Sequence, residues 1–149
     1  MWFHKTAASI FGIGYCKGGG TLAAIACCIC WYLAWSGHPF PTYALVITGI
    51  IIGIGIWAGN NVEAQWGKDS SRVVIDEVAG MAITLLFLPV TVKYIIAGLA
   101  LFRFFDIVKP FYIKRMEKLP GGWGVMFDDI LAGVYSNIVL WIAVIVFHF

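Results

Sequence analysis

The chain has 149 residues, 61% of them hydrophobic and 12% charged, and a formal net charge of +2. Its mean hydropathy is +0.89, whereas soluble domains carry about 25% charged residues, so a soluble globular domain is excluded and a membrane protein is indicated. The small net charge says little by itself, and no nucleic-acid-binding motif is present.

The first segment, WFHKTAASIFGIGY, lacks the long apolar core and small-residue cleavage site of a signal peptide and runs into the Gly-rich KGGGT. It reads as an interfacial helix or a re-entrant piece. From Gly18 to Val62, a run of 45 residues contains no Lys, Arg, Asp or Glu; SGHPFPT divides it into two spans joined by a turn. Val73 to Leu88 and Val92 to Val108 are shorter apolar stretches separated by Pro89. Each of these, at roughly 16 residues, extends about 24 Å as helix, short of a hydrocarbon core of about 30 Å. Their polar ends are therefore expected in the headgroup region. Ile130 to Phe149 is another uncharged run, of 20 residues. The expected fold is all-α: one membrane-embedded domain over residues 1–149, a polytopic bundle of about five hydrophobic helices making four or five crossings, preceded by an interfacial N-terminal segment.

The cations are distributed unevenly over the loops of such a bundle. With five crossings, Lys5, Lys17, Lys68, Arg72, Lys109, Lys114, Arg115 and Lys118 share one side, and Lys93 is the only loop cation on the other. The positive-inside rule then puts the N-terminus and the loops around residues 60–72 and 109–126 in the cytoplasm. Cys27 and Cys30 spell C-x-x-C inside a hydrophobic helix with no second motif, so Cys16, Cys27, Cys28 and Cys30 read as packing residues rather than zinc ligands. Trp2, Trp31, Trp35, Trp66, Trp123 and Trp141 fall towards segment ends, where interfacial anchoring is expected.

Five of the eight acidic residues lie in, or at the mouth of, apolar segments: Asp76, Glu77, Asp106, Asp128 and Asp129. A carboxylate at the bilayer centre costs roughly 2.5 to 3.5 kcal/mol, so these groups must meet cations. Arg103, Asp106 and Lys109, spaced three apart, can form a local ion-pair ladder on a helix. Asp76 and Asp129 are each followed four residues later by a glycine, Gly80 and Gly133, a spacing that allows tight helix contacts beside both acids. Helix capping accounts for one of Asp128 and Asp129; the pair together points to a cation. Carboxylates without a nearby His or thiol favour a hard ion such as Mg²⁺, which shares its coordination with substrate phosphate. Arg103, Lys109 and Lys17 would balance phosphate charge, and the KGGGT amides beside Thr21 read either as an anion-binding nest or as a flexible turn. His4, His38 and His148 stand away from the acids in sequence.

These residues bring out a likeness. In DSSRVVIDEVAG, FRFFDIVKP and GGWGVMFDDILAG, in that order, the chain resembles the phosphatidylglycerophosphatase A family, bacterial membrane enzymes that remove the phosphate monoester from phosphatidylglycerophosphate to leave phosphatidylglycerol. The resemblance implies magnesium dependence, a phospholipid substrate and an active site on the cytoplasmic face of the inner membrane. It maps the acidic-site chemistry onto Asp76, Glu77, Arg103, Asp106, Lys109, Asp128 and Asp129. The chain departs from the family at CKGGGTLAA, which keeps Gly20, Leu22 and the Thr21 hydroxyl but lacks a Pro, and at Tyr112, where a second Pro often stands.

The expected mechanism is metal-assisted hydrolysis of a lipid phosphomonoester. A subset of Asp76, Asp106, Asp128 and Asp129 would hold Mg²⁺, Glu77 would be a ligand or the base for water, and Arg103 with Lys109 would stabilise phosphoryl charge, joined by Lys17 and Thr21. A divalent-cation transporter would also gather intramembrane acids, but distributed through the bilayer. Another phospholipid-headgroup enzyme, an alcohol phosphotransferase, would carry a D-G-x-x-A-R run, which is missing.

Overall fold

The computed structural model describes residues 2–36 and 42–149. The centre of the expected SGHPFPT turn, with His38, lies outside the described residues. Among those described, every regular element is helical: α1 (Trp2–Ala8), a 3₁₀ turn (Ile13–Tyr15), α2 (Gly19–Trp35), α3 (Tyr43–Trp66), α4 (Ile75–Leu85), α5 (Val92–Val108), α6 (Ile113–Met116) and α7 (Gly121–Phe147). The five apolar segments thus become α2, α3, α4, α5 and α7.

Their bounds follow local chemistry. Pro120, with φ −74° and ψ 145°, opens α7, which therefore starts nine residues before Ile130 and takes GGWG and both aspartates into the helix. Asp128 and Asp129 lie two turns inside, so neither caps it. Lys109 ends α5 in the left-handed region, φ 48°, and Pro110 follows, a common stop. Gly67, φ 82°, closes α3.

Helix α7 packs against α3, α4, α5 and α6, and α4 lies among α2, α3, α5 and α7. Glycines set the closest approaches. A Cβ on Gly133 would collide with the Gly80 carbonyl, and one on Gly80 would sit 2.6 Å from the Asp129 carbonyl oxygen, so α4 and α7 touch backbone to backbone just below the acids. Similarly, a Cβ on Gly59 would lie 2.7 Å from the Gly122 Cα, and the Gly122 N–H donates to Asn60 Oδ1 at 2.8 Å. The acid-then-glycine spacing read from the sequence has this physical meaning.

Among the described residues, only α3, with 24 residues, and α7, with 27, are both long and apolar enough to cross a membrane by themselves. Over their most apolar stretches they are just 28% and 22% buried, the reverse of a soluble core helix, and Leu33, Ile96, Ile145 and Phe147 are likewise exposed. Such a surface suits lipid. Four or five crossings, however, do not follow from helix length. The 11-residue α4 extends only about 16 Å, roughly half the hydrocarbon core. Its end is satisfied internally: Asn137 Nδ2 donates to the carbonyls of Thr84 and Leu86, both at 2.9 Å. A helix that stops inside a bundle needs such a donor, because lipid supplies none.

The chain shuttles between two ends. Asn60, near the end of α3, meets Gly122 at the start of α7, whereas the Tyr94 hydroxyl, near the start of α5, donates to the Phe149 carbonyl at 2.7 Å. Trp35 and Tyr43 pair at this second end, with ring centroids 6.3 Å apart. Trp31 and Trp35 are buried against each other, so they fill the core instead of anchoring it at an interface; Trp2 and Trp123 do remain exposed. Cys28 is buried and the Cys27 thiol donates to the Val78 carbonyl, in keeping with packing roles, whereas Cys16 and Cys30 are exposed and do not pack as expected.

Candidate active site

At the first end, α2, α4, α5 and α7 surround a polar cavity of about 470 Å³. Each helix contributes a part fixed by its sequence. The opening turn of α4 delivers Asp76 and Glu77, the last two turns of α5 deliver Arg103 and Asp106, and α7 delivers Asp128 and Asp129. All five predicted acids line this cavity, as do Arg103, Lys109, Lys17 and Thr21. Even the three remaining acids belong to this end: Asp69 lines the cavity, Glu117 pairs with Lys109, and Glu63 faces Gly121.

Two cations organise the carboxylates. Arg103 Nη1 donates to Glu77 Oε2 at 2.6 Å and to Asp106 Oδ2 at 2.7 Å, tying α4 to α5. Lys109 Nζ donates to Asp128 Oδ2 at 2.8 Å and also to Glu117 Oε1. The ladder expected along α5 is therefore half formed. Arg103 does pair with Asp106, but the left-handed turn at Lys109 swings its side chain away to α7. Burial disfavours the Lys109 ammonium, yet its bonds to Asp128 and Glu117 outweigh this and push its pKa up, so it stays charged.

These two cations leave carboxylate oxygens over. Glu77, Asp106 and Asp129 each offer an oxygen, all within 4.8 Å of one another. Asp129 Oδ2 and Asp76 Oδ1 are buried without a hydrogen-bond partner, a state that costs several kcal/mol for a charged group unless a cation or proton joins it. Orphaned oxygens converging in an all-oxygen donor set fit a hard divalent cation. Asp128, held by Lys109 and accepting the Asp129 N–H at 2.9 Å, stands outside the trio, and Asp76 lies beside it.

The glycine run does more than turn. Gly18 adopts φ 74° and precedes α2, and a Cβ on Gly20 would overlap Glu77 Oε1. Gly20 is thus the space into which the Glu77 carboxylate fits. The preceding loop is bolted to the 67–74 loop: the Val74 N–H donates to the Ala8 carbonyl at 2.9 Å, and the Arg72 guanidinium stacks on Tyr15 and Trp66 at 5.8 and 5.9 Å. His4 packs on Trp57 and His148 caps α7, both outside the cavity.

Sequence reasoning missed Glu117, Asp69, Ser70, Ser71 and Cys16 at this site. Asp69, Ser70 and Ser71 had a signal, since they precede Asp76 in the same DSSRVVIDEVAG stretch. Glu117 had none, being an ordinary charge in a basic loop.

Residues 6–144 match the protein family described as Phosphatidylglycerophosphatase A. The chain belongs to that family. It is 45% identical over 142 residues to a Bacteroides thetaiotaomicron protein named "Putative phosphatidylinositol-3-phosphatase", covering 89% of this chain and 88% of that one. It is 36% identical over 125 residues to the phosphatidylglycerophosphatase A of Escherichia coli, covering 82% and 72%. With the Haemophilus influenzae protein of the same name the identity is 40% over 99 residues, covering 64% and 61%. No solved structure matches the chain. As a member of the phosphatidylglycerophosphatase A family the chain is a phosphatase of phospholipid metabolism, and the resemblance carried by its three acidic stretches holds.

Proposed function

We propose that the protein hydrolyses the phosphomonoester of phosphatidylglycerophosphate, with Mg²⁺, to give phosphatidylglycerol and phosphate in bacterial phospholipid biosynthesis. The observation that carries this reading is the meeting of the Glu77, Asp106 and Asp129 oxygens within 4.8 Å in the same cavity as Arg103 and Lys109. The names of the Escherichia coli and Haemophilus influenzae relatives support it.

Glu77, Asp106 and Asp129 would hold the ion, with Asp76 and Asp128 completing its surroundings. When bound, Mg²⁺ would supply Lewis-acid polarisation of the phosphoryl group and neutralise its charge. Arg103 and Lys109 are positioned to bind the equatorial oxygens, exchanging part of their carboxylate contacts for phosphate. Lys17, Thr21 and the first amides of α2 line the same cavity and would steady the phosphate from the opposite wall. Water attacks phosphorus in line, and a carboxylate, Glu77 or Asp76, takes its proton. The phosphorus–oxygen bond to the glycerol breaks, the departing alkoxide takes a proton from solvent at the cavity mouth, and the carboxylate releases the proton it took, so the products are the lipid alcohol and phosphate.

The topology we propose is multi-pass in the inner membrane with the cavity facing the cytoplasm. Lys17, Arg72 and Lys109 share the cavity end, whereas Lys93 lies on the Phe149 ring at the other, 4.2 Å from its centroid. This asymmetry agrees with the positive-inside rule. Helix α5 covers the depth from Asp128 to Phe149, since its two ends bond to those levels of α7. A cation transporter is disfavoured, because all eight acids lie at one end and no acid follows them along α7 to Phe149.

A second reading, phosphatidylinositol 3-phosphate as substrate, rests on the name of the Bacteroides thetaiotaomicron relative; it changes the headgroup and keeps the chemistry. The test is phosphate release from each lipid by purified protein with Mg²⁺, with chelator, and with Asp129→Asn. Mg²⁺-dependent release from phosphatidylglycerophosphate, abolished by Asp129→Asn, is expected. Release that survives both chelation and the substitution overturns the metal assignment, and faster turnover of the inositol lipid overturns the substrate.

A further inference from the structure

On the lipid-facing side of α5 and α7 lies an apolar groove of about 340 Å³, lined by Phe105, Phe111, Tyr112, Tyr135, Ile138 and Val139. Two of these residues adjoin the catalytic cavity in the chain. Phe105 immediately precedes Asp106, and Phe111 follows Lys109 by two residues. The third connection runs down α7. Tyr135 and Val139 come seven and eleven residues after Asp128, within about 20° of the same helical face at 100° per residue. The groove therefore opens beside the end of α5 that carries Asp106 and Lys109, and its α7 wall begins at Tyr135, about two turns beyond Asp128 on the same helical face; it shares no lining residue with the acidic cavity.

Its depth has a natural scale. From Asp128 to Val139 the helix descends about 16 Å, close to the half-thickness of a hydrocarbon core of about 30 Å. The wall is built of rings set edge to face, Phe105 and Phe111 lying 5.9 and 6.0 Å from Tyr135 between centroids. Phe111 has φ 58° and is 80% exposed. The Arg115 guanidinium sits 4.8 Å from the Tyr112 ring, which puts a cation beside one wall of the groove. A phospholipid likewise has a charged part beside apolar ones.

We infer that this groove seats one acyl chain of the substrate while its headgroup phosphate occupies the acidic cavity. The inference rests on the lipid-phosphatase reading and deepens it. Lipid tails are as apolar as the groove, so seating a chain there adds little affinity; what it supplies is orientation of the scissile phosphate. Its signature is thus a rate that depends on the chain.

The experiment compares long-chain phosphatidylglycerophosphate, a short-chain homologue and the deacylated headgroup phosphomonoester, using wild type, Val139→Trp and Ile138→Trp. The bulky variants are expected to lower turnover of the long-chain lipid about tenfold while leaving the deacylated compound unchanged, and to shift the optimum towards shorter chains. Equal losses on all three substrates, or no loss on the long-chain lipid, overturn the groove. A milder variant guards against misfolding. Ile138→Cys should be captured, above the background of the native cysteines, by a phospholipid bearing a thiol-reactive group at its chain end, and Ile50→Cys on the exposed face of α3 should not. Equal capture at both positions also overturns the proposal. Capture at Ile138→Cys without hydrolysis of any phosphomonoester by wild type would keep the groove and remove the proposed activity.

Discussion

Gly80 and Gly133 face each other across the contact of α4 and α7 so closely that a Cβ on Gly133 would penetrate the Gly80 carbonyl. The contact sits one turn below Asp76 and Asp129, so the distance between the helices there fixes the distance between those acids. Gly133→Ala must push backbone against backbone, with no flexible side chain to yield. We expect a loss of about 1–3 kcal/mol from overpacking, seen as a lowered thermal midpoint in detergent, together with loss of Mg²⁺-dependent phosphate release. Gly49→Ala on α3, where a Cβ meets open space, is the control. Equal midpoints for the two variants would contradict the backbone contact.

Gly20→Ala acts on chemistry more than on folding. Its Cβ meets the Glu77 carboxylate, the far end of a side chain that can rotate away. Displaced, Glu77 leaves Arg103 and the oxygen trio. Expected is a fall in kcat of about 10²-fold, the scale of a mispositioned catalytic group, with little change in thermal midpoint. Unchanged kcat would show that Glu77 has no part in the reaction.

Much of this site was legible because charge in an apolar segment is an energetic anomaly that must be resolved locally. Asp76, Glu77, Asp106, Asp128 and Asp129 do share one cavity with Arg103, Lys109, Lys17 and Thr21. The acid-then-glycine spacing also survived folding, since small residues have few other uses at such a crossing. What escaped were features decided by tertiary contacts. Pro89 bounds the segment locally, but α4 stops short of it at Leu85, where Asn137, some 50 residues away, donates to the free carbonyls. Trp31 and Trp35 sit near a helix end in sequence but turn inward onto each other, and a sequence position near an interface cannot separate the two outcomes. Glu117 joined the site only because the backbone turns left-handed at Lys109.

Lys109 bridges α5 and α7 through Asp128, whose side chain is 5% exposed against 24% for Lys109. Removing the cation leaves a buried carboxylate without its partner. Lys109→Met is expected to destabilise by roughly 3 kcal/mol, the low end for a buried pair because Lys109 is partly solvated. Asp128→Asn in the same chain should recover much of that loss, since the uncompensated charge goes with it. Thermal unfolding of both single variants and the double variant measures the coupling. Strictly additive losses would mean that the 2.8 Å contact carries no energetic weight.

Asn137 supplies two donors to the end of α4, at Thr84 and Leu86, half-way along a bundle where water is scarce. Leucine of similar volume removes both bonds and keeps the packing. A side-chain hydrogen bond between membrane helices averages about 0.6 kcal/mol, but a buried carbonyl left unpaired costs about 1–3 kcal/mol, and the carbonyls here remain when the amide goes. We therefore expect Asn137→Leu to lose about 2 kcal/mol, more than two average bonds alone would give. Asn137 lies about 12 Å along α7 from Asp129, so the fraction that stays folded should keep its KM. A thermal midpoint equal to wild type would mean that the end of α4 finds other donors and that Asn137 does not set its length.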